Sequence, residues 1–287
     1  MKNTIRFDWA IKRLLRNKAN FGILEGFLSE LLSEDIRIES ILESESNKQT
    51  AENKANRVDL LVQNSKGELI IIEVQSDYMQ DYLMRMIFGT SKLVIDNMEA
   101  GMMYGKVKKI ISVNIVYFDL GHGEDYIYHG STRFIGMNKN DVLNLSRQEQ
   151  IVYHTEQIAK IYPEYYIIKV NQFDDIAKNT LDEWINFLKN EEVKDDSKAK
   201  GLIEAREKLT LLKLTEAERK DYERYIANWR DNESVMISNF MAGELKGEQK
   251  GELKKQKEIA RKGLEKGMTV ADIAELTGLS EDEIRGI

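Results

Sequence analysis

The chain reads as an α/β protein with a helical last third, and three observations carry that reading. Two β-like runs rich in Val, Ile and Leu, residues 56–63 and 69–76, flank the turn Asn64-Ser65-Lys66-Gly67-Glu68, as in a hairpin. Helical spacing before them, and a helix then an apolar strand after them, give the order expected when a helix crosses between parallel strands. Beyond the charged break at 191–200, nearly everything is polar and helical.

Taken in order, Phe7, Ile11, Leu14 and Leu15 recur at helical spacing, and Leu24, Phe27, Leu28, Leu31 and Leu32 repeat it after Asn20. Ile36-Arg37-Ile38 begins an extended segment, and the polar stretch 43–54 reads as a loop or strand tip before the hairpin. Residues 77–99 place Tyr82, Leu83, Met86, Ile87, Leu93 and Val94 on one side of a long helix, and a strand follows at 109–118. Turn signals and short extended runs fill 121–170, ending in the strand 165–170, and a helix is expected at 176–189.

The organisation this predicts is a domain over 1–190, a helical extension over 191–240, and a Gly-punctuated helix with a small helical hairpin over 241–287. Gly243, Gly247 and Gly251 recur every four residues, and Gly263 and Gly267 repeat the spacing. The Glu and Lys between them exclude a membrane span. Each interior Gly costs about 1 kcal/mol against Ala, so this reads as a soluble helix that self-associates or is weakly stable. Thr269 and Ser280 each mark a helix start, Ser280 and Glu283 as a capping box, and Gly278 fits the end of the first helix. A helix-turn-helix is formally present. Its second helix is short and acidic, which favours a structural or dimerisation hairpin over a DNA-reading unit.

At 287 residues, 42% hydrophobic and 32% charged, the chain can bury one good core. With no Cys there are no disulfides, thiolate zinc sites or Cys nucleophiles, and three scattered His give no metal-ligand spacing. The N-terminus is charged rather than signal-like, and no run approaches the ~18 apolar residues of a membrane span. The expectation is a soluble cytoplasmic protein without a membrane partner. A net charge of −7 argues against a broad nucleic-acid-binding surface, although Lys and Arg can still line one groove.

The chemistry concentrates in the hairpin. Alternation puts Glu73 and Gln75 on one side of their strand, and Asp59, with Arg57, can face them from the neighbouring strand. A carboxylate in an apolar strand is costly unless paired or metal-bound, and a divalent cation with oxygen ligands relieves two at once. A solvent-facing hairpin would instead place polar residues at 61 and 71, where Leu61 and Ile71 stand. Mg²⁺ is the ion such oxygens favour, with Mn²⁺ as a substitute.

The Asp, turn, Glu-x-Gln arrangement resembles the PD-(D/E)XK nuclease motif in its Glu-x-Gln variant. More of the chain is similar to the recombination-promoting nuclease (Rpn) and transposase branch of that superfamily. Phe7-Asp8-Trp9-Ala10-Ile11-Lys12 resembles its opening Asp-x-x-x-Lys motif, with Ile11 where Phe is common. Arg85, Gly101-Met102-Met103-Tyr104, the strand Val113 to Phe118 and Trp184-Ile185-Asn186-Phe187-Leu188 resemble later elements, in order over roughly 1–190.

The resemblance implies a restriction-endonuclease-like core, a mixed sheet flanked by helices, and a Mg²⁺-dependent DNA endonuclease acting in recombination or transposition-like events. Asp59, Glu73 and the main-chain carbonyl of Val74 are then the expected metal ligands. Gln75 stands where the superfamily often carries Lys, and its amide orients water without adding charge. Lys12 is a candidate for that charge or a solvated helix residue. Asp8 either holds Lys12 across one turn or reaches the metal. Arg85 binds phosphate or a carboxylate. Glu25 and Glu30 are further acids that no spacing selects, Tyr104 and Trp184 read as core, and His122 lies in a turn. The alternatives are a nuclease-like module without catalysis that binds DNA or protein, and a metal-dependent RNase. A homodimer through the C-terminal helices is a further expectation.

Overall fold

The computed structural model describes residues 5–13, 15–42, 59–98, 107–210 and 213–287, with the side chains of Lys12 and Glu233 outside that description. Arg57, Tyr104 and the polar stretch 43–54 lie outside the described residues. The chain divides into two compact units, Met1–Thr215 and Glu216–Ile287.

The first unit opens with helices α1 (Phe7–Arg13) and α2 (Phe21–Leu32), then strands β1 (Ile38–Ile41), β2 (Leu60–Asn64) and β3 (Leu69–Gln75). Helix α3 (Tyr82–Asp96), strands β4 (Ile110–Val116) and β5 (Ile127–Gly130), helix α4 (Arg147–Tyr153), strand β6 (Glu164–Lys169) and helices α5 (Thr180–Asn190) and α6 (Leu202–Lys208) complete it. The six strands form one mixed sheet in the order β1-β2-β3-β4-β6-β5. β2 pairs antiparallel with β1 and β3, while β3, β4 and β6 run parallel, and β5 closes the edge antiparallel to β6.

The hairpin forms where the apolar runs place it. Asn64 shapes its loop, its Oδ1 accepting from the backbone N–H of Lys66 and Glu68, and Gly67 adopts φ 78°, which a Cβ would strain. Every residue of β4 is buried, as expected for a central parallel strand covered on both faces. Leu61, Leu69, Ile71 and Ile110 pack with Leu93 of α3, so α3 covers the face that also carries positions 73 and 75. On α3 the buried residues are Tyr82, Met86, Thr90 and Leu93, a single stripe at helical spacing.

Phe7, Phe27 and Trp184 meet edge to face with centroids 5.5–6.3 Å apart, joining α1, α2 and α5. Trp184 is fully buried, as a core residue. At Gly26 a Cβ would lie 2.2 Å from the Lys200 carbonyl oxygen, so only glycine admits the segment before α6 this close to α2.

Two helices start later than their periodicity suggests. α3 begins at Tyr82 rather than 77, and α5 at Thr180 rather than 176, because the Asn179 side chain accepts from the Asp182 N–H and caps α5 there. The strand expected at 109–118 spans Ile110–Val116, and 121–170 resolves into β5, α4 and β6.

The second unit consists of α7 (Glu216–Glu265), α8 (Val270–Thr277) and α9 (Glu281–Arg285). At 50 residues α7 is about 75 Å long. Ala260 packs with Ile273, Leu279 and Ile284 into a small core. Thr269 and Ser280 cap α8 and α9, Ser280 with Glu283 as a full capping box, and Gly278 ends α8 at φ 71°. No helix among the described residues is long and apolar enough to cross a membrane.

Candidate nuclease site

The β2–β3 register determines where the two acids stand. Leu60 pairs with Ile72 at the last step of the ladder, so Asp59 stands just beyond the end of β2, next to the stretch of β3 that carries Glu73 and Val74. Asp59 itself sits in a bend just before β2, half-buried. Its Oδ2 accepts from the Val74 N–H at 2.8 Å, which turns the carboxylate onto the β3 backbone beside Glu73. Its carbonyl accepts from Arg16 Nη2 at 2.7 Å, tying the segment after α1 to this corner.

Glu73 is 8% exposed and faces Arg85 of α3, Nε to Oε2 3.4 Å. Of the two roles weighed for Arg85, the described contact is the one to a carboxylate. Asn114 is the parallel partner of Glu73 on β4 and is likewise buried. The Tyr82 hydroxyl donates to Asn114 Oδ1 at 3.3 Å. Burial, reinforced by the negative charges of Glu73 and Asp59, raises the Tyr82 pKa far above that of an ordinary phenol.

The remaining expected residues lie around this pair. Gln75 is half-buried at the end of β3, its Nε2 donating to the Asp77 carbonyl at 3.1 Å. Asp8 is 2% exposed and sits by the chain leaving β3: it pairs with Arg6 at 3.2 Å and accepts from Ser76 Oγ at 3.3 Å and the Trp9 N–H at 2.8 Å. Lys12 lies in α1, with its side chain outside the described residues.

Glu25 and Glu30 have structural partners elsewhere, the Ile38 N–H for one, Thr180 Oγ1 and the Lys200 N–H for the other. His122 is exposed.

Three residues of this corner escaped the sequence reading. Arg16 carries no local signal. Tyr82 is simply the first residue of α3. Asn114 had a legible signal, because Ser112 and Asn114 alternate through an otherwise apolar strand and so share one face.

Among the described residues no three His, Cys, Asp or Glu side chains cluster as a metal cage. The chemistry of the candidate donors, the carboxylates of Asp59 and Glu73 and the main-chain carbonyl of Val74, nonetheless suits a hard divalent cation.

A mixed sheet with a helix over one face, in which a β-hairpin carrying Asp59 before it and Glu73 on its second strand adjoins the parallel strands, is the architecture of a PD-(D/E)XK-type α/β protein. The chain belongs to the family described as PD-(D/E)XK nuclease family transposase, whose model matches residues 5–239. A second family model, the C-terminal HTH domain of the Rpn/YhgA-like nuclease family, matches residues 253–287. The resemblance read from the sequence thus holds in both parts of the chain. For the tail, the family match runs against the preference for a purely structural hairpin. No curated protein and no solved structure matches the chain.

Proposed function

We propose that the protein is a divalent-metal-dependent DNA endonuclease, acting in the cytoplasm in recombination or transposition-like events. The observation that supports this reading is the Asp59 carboxylate held on the Val74 N–H, next in sequence to Glu73, within a chain of nuclease family. Asp59, Glu73 and the main-chain carbonyl of Val74 would hold Mg²⁺, with Mn²⁺ as a substitute. Bound there, the ion supplies Lewis acidity toward the scissile phosphate and a lowered pKa for water.

The chain's own groups do the positioning. The Val74 N–H fixes the Asp59 carboxylate, and the Tyr82–Asn114 hydrogen bond stiffens the floor beside Glu73. Gln75 orients the attacking water through its amide, and Lys12 supplies the positive charge that Gln75 lacks. Asp8 organises α1 against the chain leaving β3. The tail adds a helix-turn-helix unit toward DNA, and a homodimer through the C-terminal helices would present two of them, as half-site readers do.

A nuclease-like module without catalysis is favoured by one observation, the Arg85 guanidinium already facing Glu73. Calorimetric titration with Mg²⁺ or Mn²⁺ separates the readings, since such a module has no use for the ion. The direct test is incubation with supercoiled plasmid, with and without Mg²⁺. We expect Mg²⁺-dependent nicking that Asp59→Ala and Glu73→Ala each reduce at least ~100-fold, with unchanged circular dichroism. Undiminished cleavage in both variants overturns the assignment, and an RNA substrate run alongside reports DNA against RNA preference.

A further inference from the structure

The opposite face of the same sheet carries a second polar cavity. His129 of β5 and Glu164 and Tyr166 of β6 line a pocket of about 520 Å³, walled by the segment that connects the two strands. The register separates it from the acidic pair. Glu73 aligns through Asn114 with Ile167, and Glu164 lies three residues earlier on β6, so its side chain points to the other face, about 14 Å away along the backbone grid.

The pocket has a flat platform with a fixed orientation. His129 stacks on Tyr166 with centroids 4.5 Å apart and planes 13° from parallel, and its Nε2 meets Glu164 Oε2 at 3.0 Å. Burial raises the Glu164 carboxyl's pKa, but the Lys109 ammonium at 2.8 Å and the His129 contact outweigh it and hold the group ionised below the usual range. The Glu164 contact at one ring nitrogen and the Tyr166 stack on one face pin the His129 ring, whose side chain stays 45% exposed with its second face free of that stack.

Around that open face the lining is cationic. Arg133 and Lys160 are exposed and form no ion pair among the described residues, and Glu164, already neutralised by Lys109, is the cavity's one carboxylate. In a chain of net charge −7, two unpaired cations beside an aromatic face are an arrangement for a ring that carries phosphate. The volume lies within the range of small-ligand pockets.

We propose that this cavity binds a nucleotide, its base stacked on the open face of His129 and its phosphate between Arg133 and Lys160. The same chemistry is offered by a free mononucleotide and by the end of a single strand. The site requires neither Asp59 nor Glu73.

Calorimetry on the full-length protein tests this with AMP, a short single-stranded oligodeoxynucleotide and inorganic phosphate. Saturable binding is expected for AMP, for the oligonucleotide, or for both, and the tighter of the two identifies the source. Binding should weaken at least ~10-fold in the doubly substituted Arg133→Glu, Lys160→Glu protein, both positions being exposed, and stay unchanged in Asp59→Ala. Absence of binding by both nucleotide probes overturns the proposal. So do unaltered affinity in the double variant, inorganic phosphate binding as tightly as AMP, or loss of binding in Asp59→Ala, which would place the ligand at the acidic pair instead. Because Asp59→Ala separates the two sites, failure here leaves the nuclease reading standing, and the reverse.

Discussion

Glu73 and Glu164 are both buried carboxylates of one sheet, 8% and 5% exposed, and they are held in different ways. Glu164 is gripped on both oxygens, by Lys109 at 2.8 Å and His129 at 3.0 Å, and the same Lys109 ammonium donates to the Ala159 and Tyr162 carbonyls. Glu73 has the Arg85 guanidinium among its partners, at a looser 3.4 Å. A tightly satisfied buried charge serves to hold elements in place, here the starts of β4 and β6 and the end of β5. A buried carboxylate held more loosely, by a guanidinium that water reaches, is one that a cation can take over.

The largest expected effect tests the structural half of this contrast. Lys109→Met removes the short partner of a carboxylate whose side chain is 7% exposed and leaves that charge in an apolar setting. A loss of about 3–5 kcal/mol in denaturant-unfolding free energy is expected, the usual result of breaking a buried pair from one side. A loss below about 1 kcal/mol would place Glu164 among ordinary surface pairs and remove the contrast.

The contrast also explains how much of the molecule could be read in advance. The β2–β3 hairpin was legible because a hairpin is local: the 64–68 turn sets the pairing, and two-residue alternation then puts Glu73 and Gln75 on one face of β3. The nuclease-like core followed from the order of short motifs along the chain, and the family matches agree. Lys109 and Glu164 were not legible, since they lie 55 residues apart and meet only because β4 and β6 become parallel neighbours. The same holds for Arg16, which reaches the Asp59 carbonyl across 43 residues, and for Tyr82, whose place beside Asn114 depends on how α3 crosses the sheet. The late start of α5 was a matter of capping: apolar spacing extends upstream of Thr180, but the Asn179 side chain ends the competition locally.

A second, smaller effect concerns pH. The Glu164 carboxyl is depressed in the folded protein, so in the unfolded chain it takes up its proton first, near pH 4.3. Its stabilising contribution is complete above that value and is lost as pH falls through the lower folded pKa. Thermal melting of wild type and Glu164→Gln between pH 7 and pH 3 should therefore show a gap in Tm that is constant down to about pH 4.5 and narrows below it. A gap that widens in acid would mean that Glu164 is held protonated, contrary to its ionised contact with Lys109.

Glu73→Gln should have the smallest effect on the fold, and that smallness is itself informative. The substitution removes the charge that faces Arg85, and it leaves that guanidinium at 25% side-chain exposure, where water can solvate it. An ion pair this loose, to a guanidinium that water reaches, contributes little, so unfolding free energy without added metal should stay within about 1 kcal/mol of wild type. The two variants then form a clean pair: Glu164→Gln costs stability, and Glu73→Gln leaves stability but abolishes the gain in Tm on adding Mg²⁺. If Glu73→Gln destabilises the metal-free protein as much as Glu164→Gln does, Arg85 is a structural partner of the Lys109 kind, and the reading of the hairpin end as a cation site loses its physical basis.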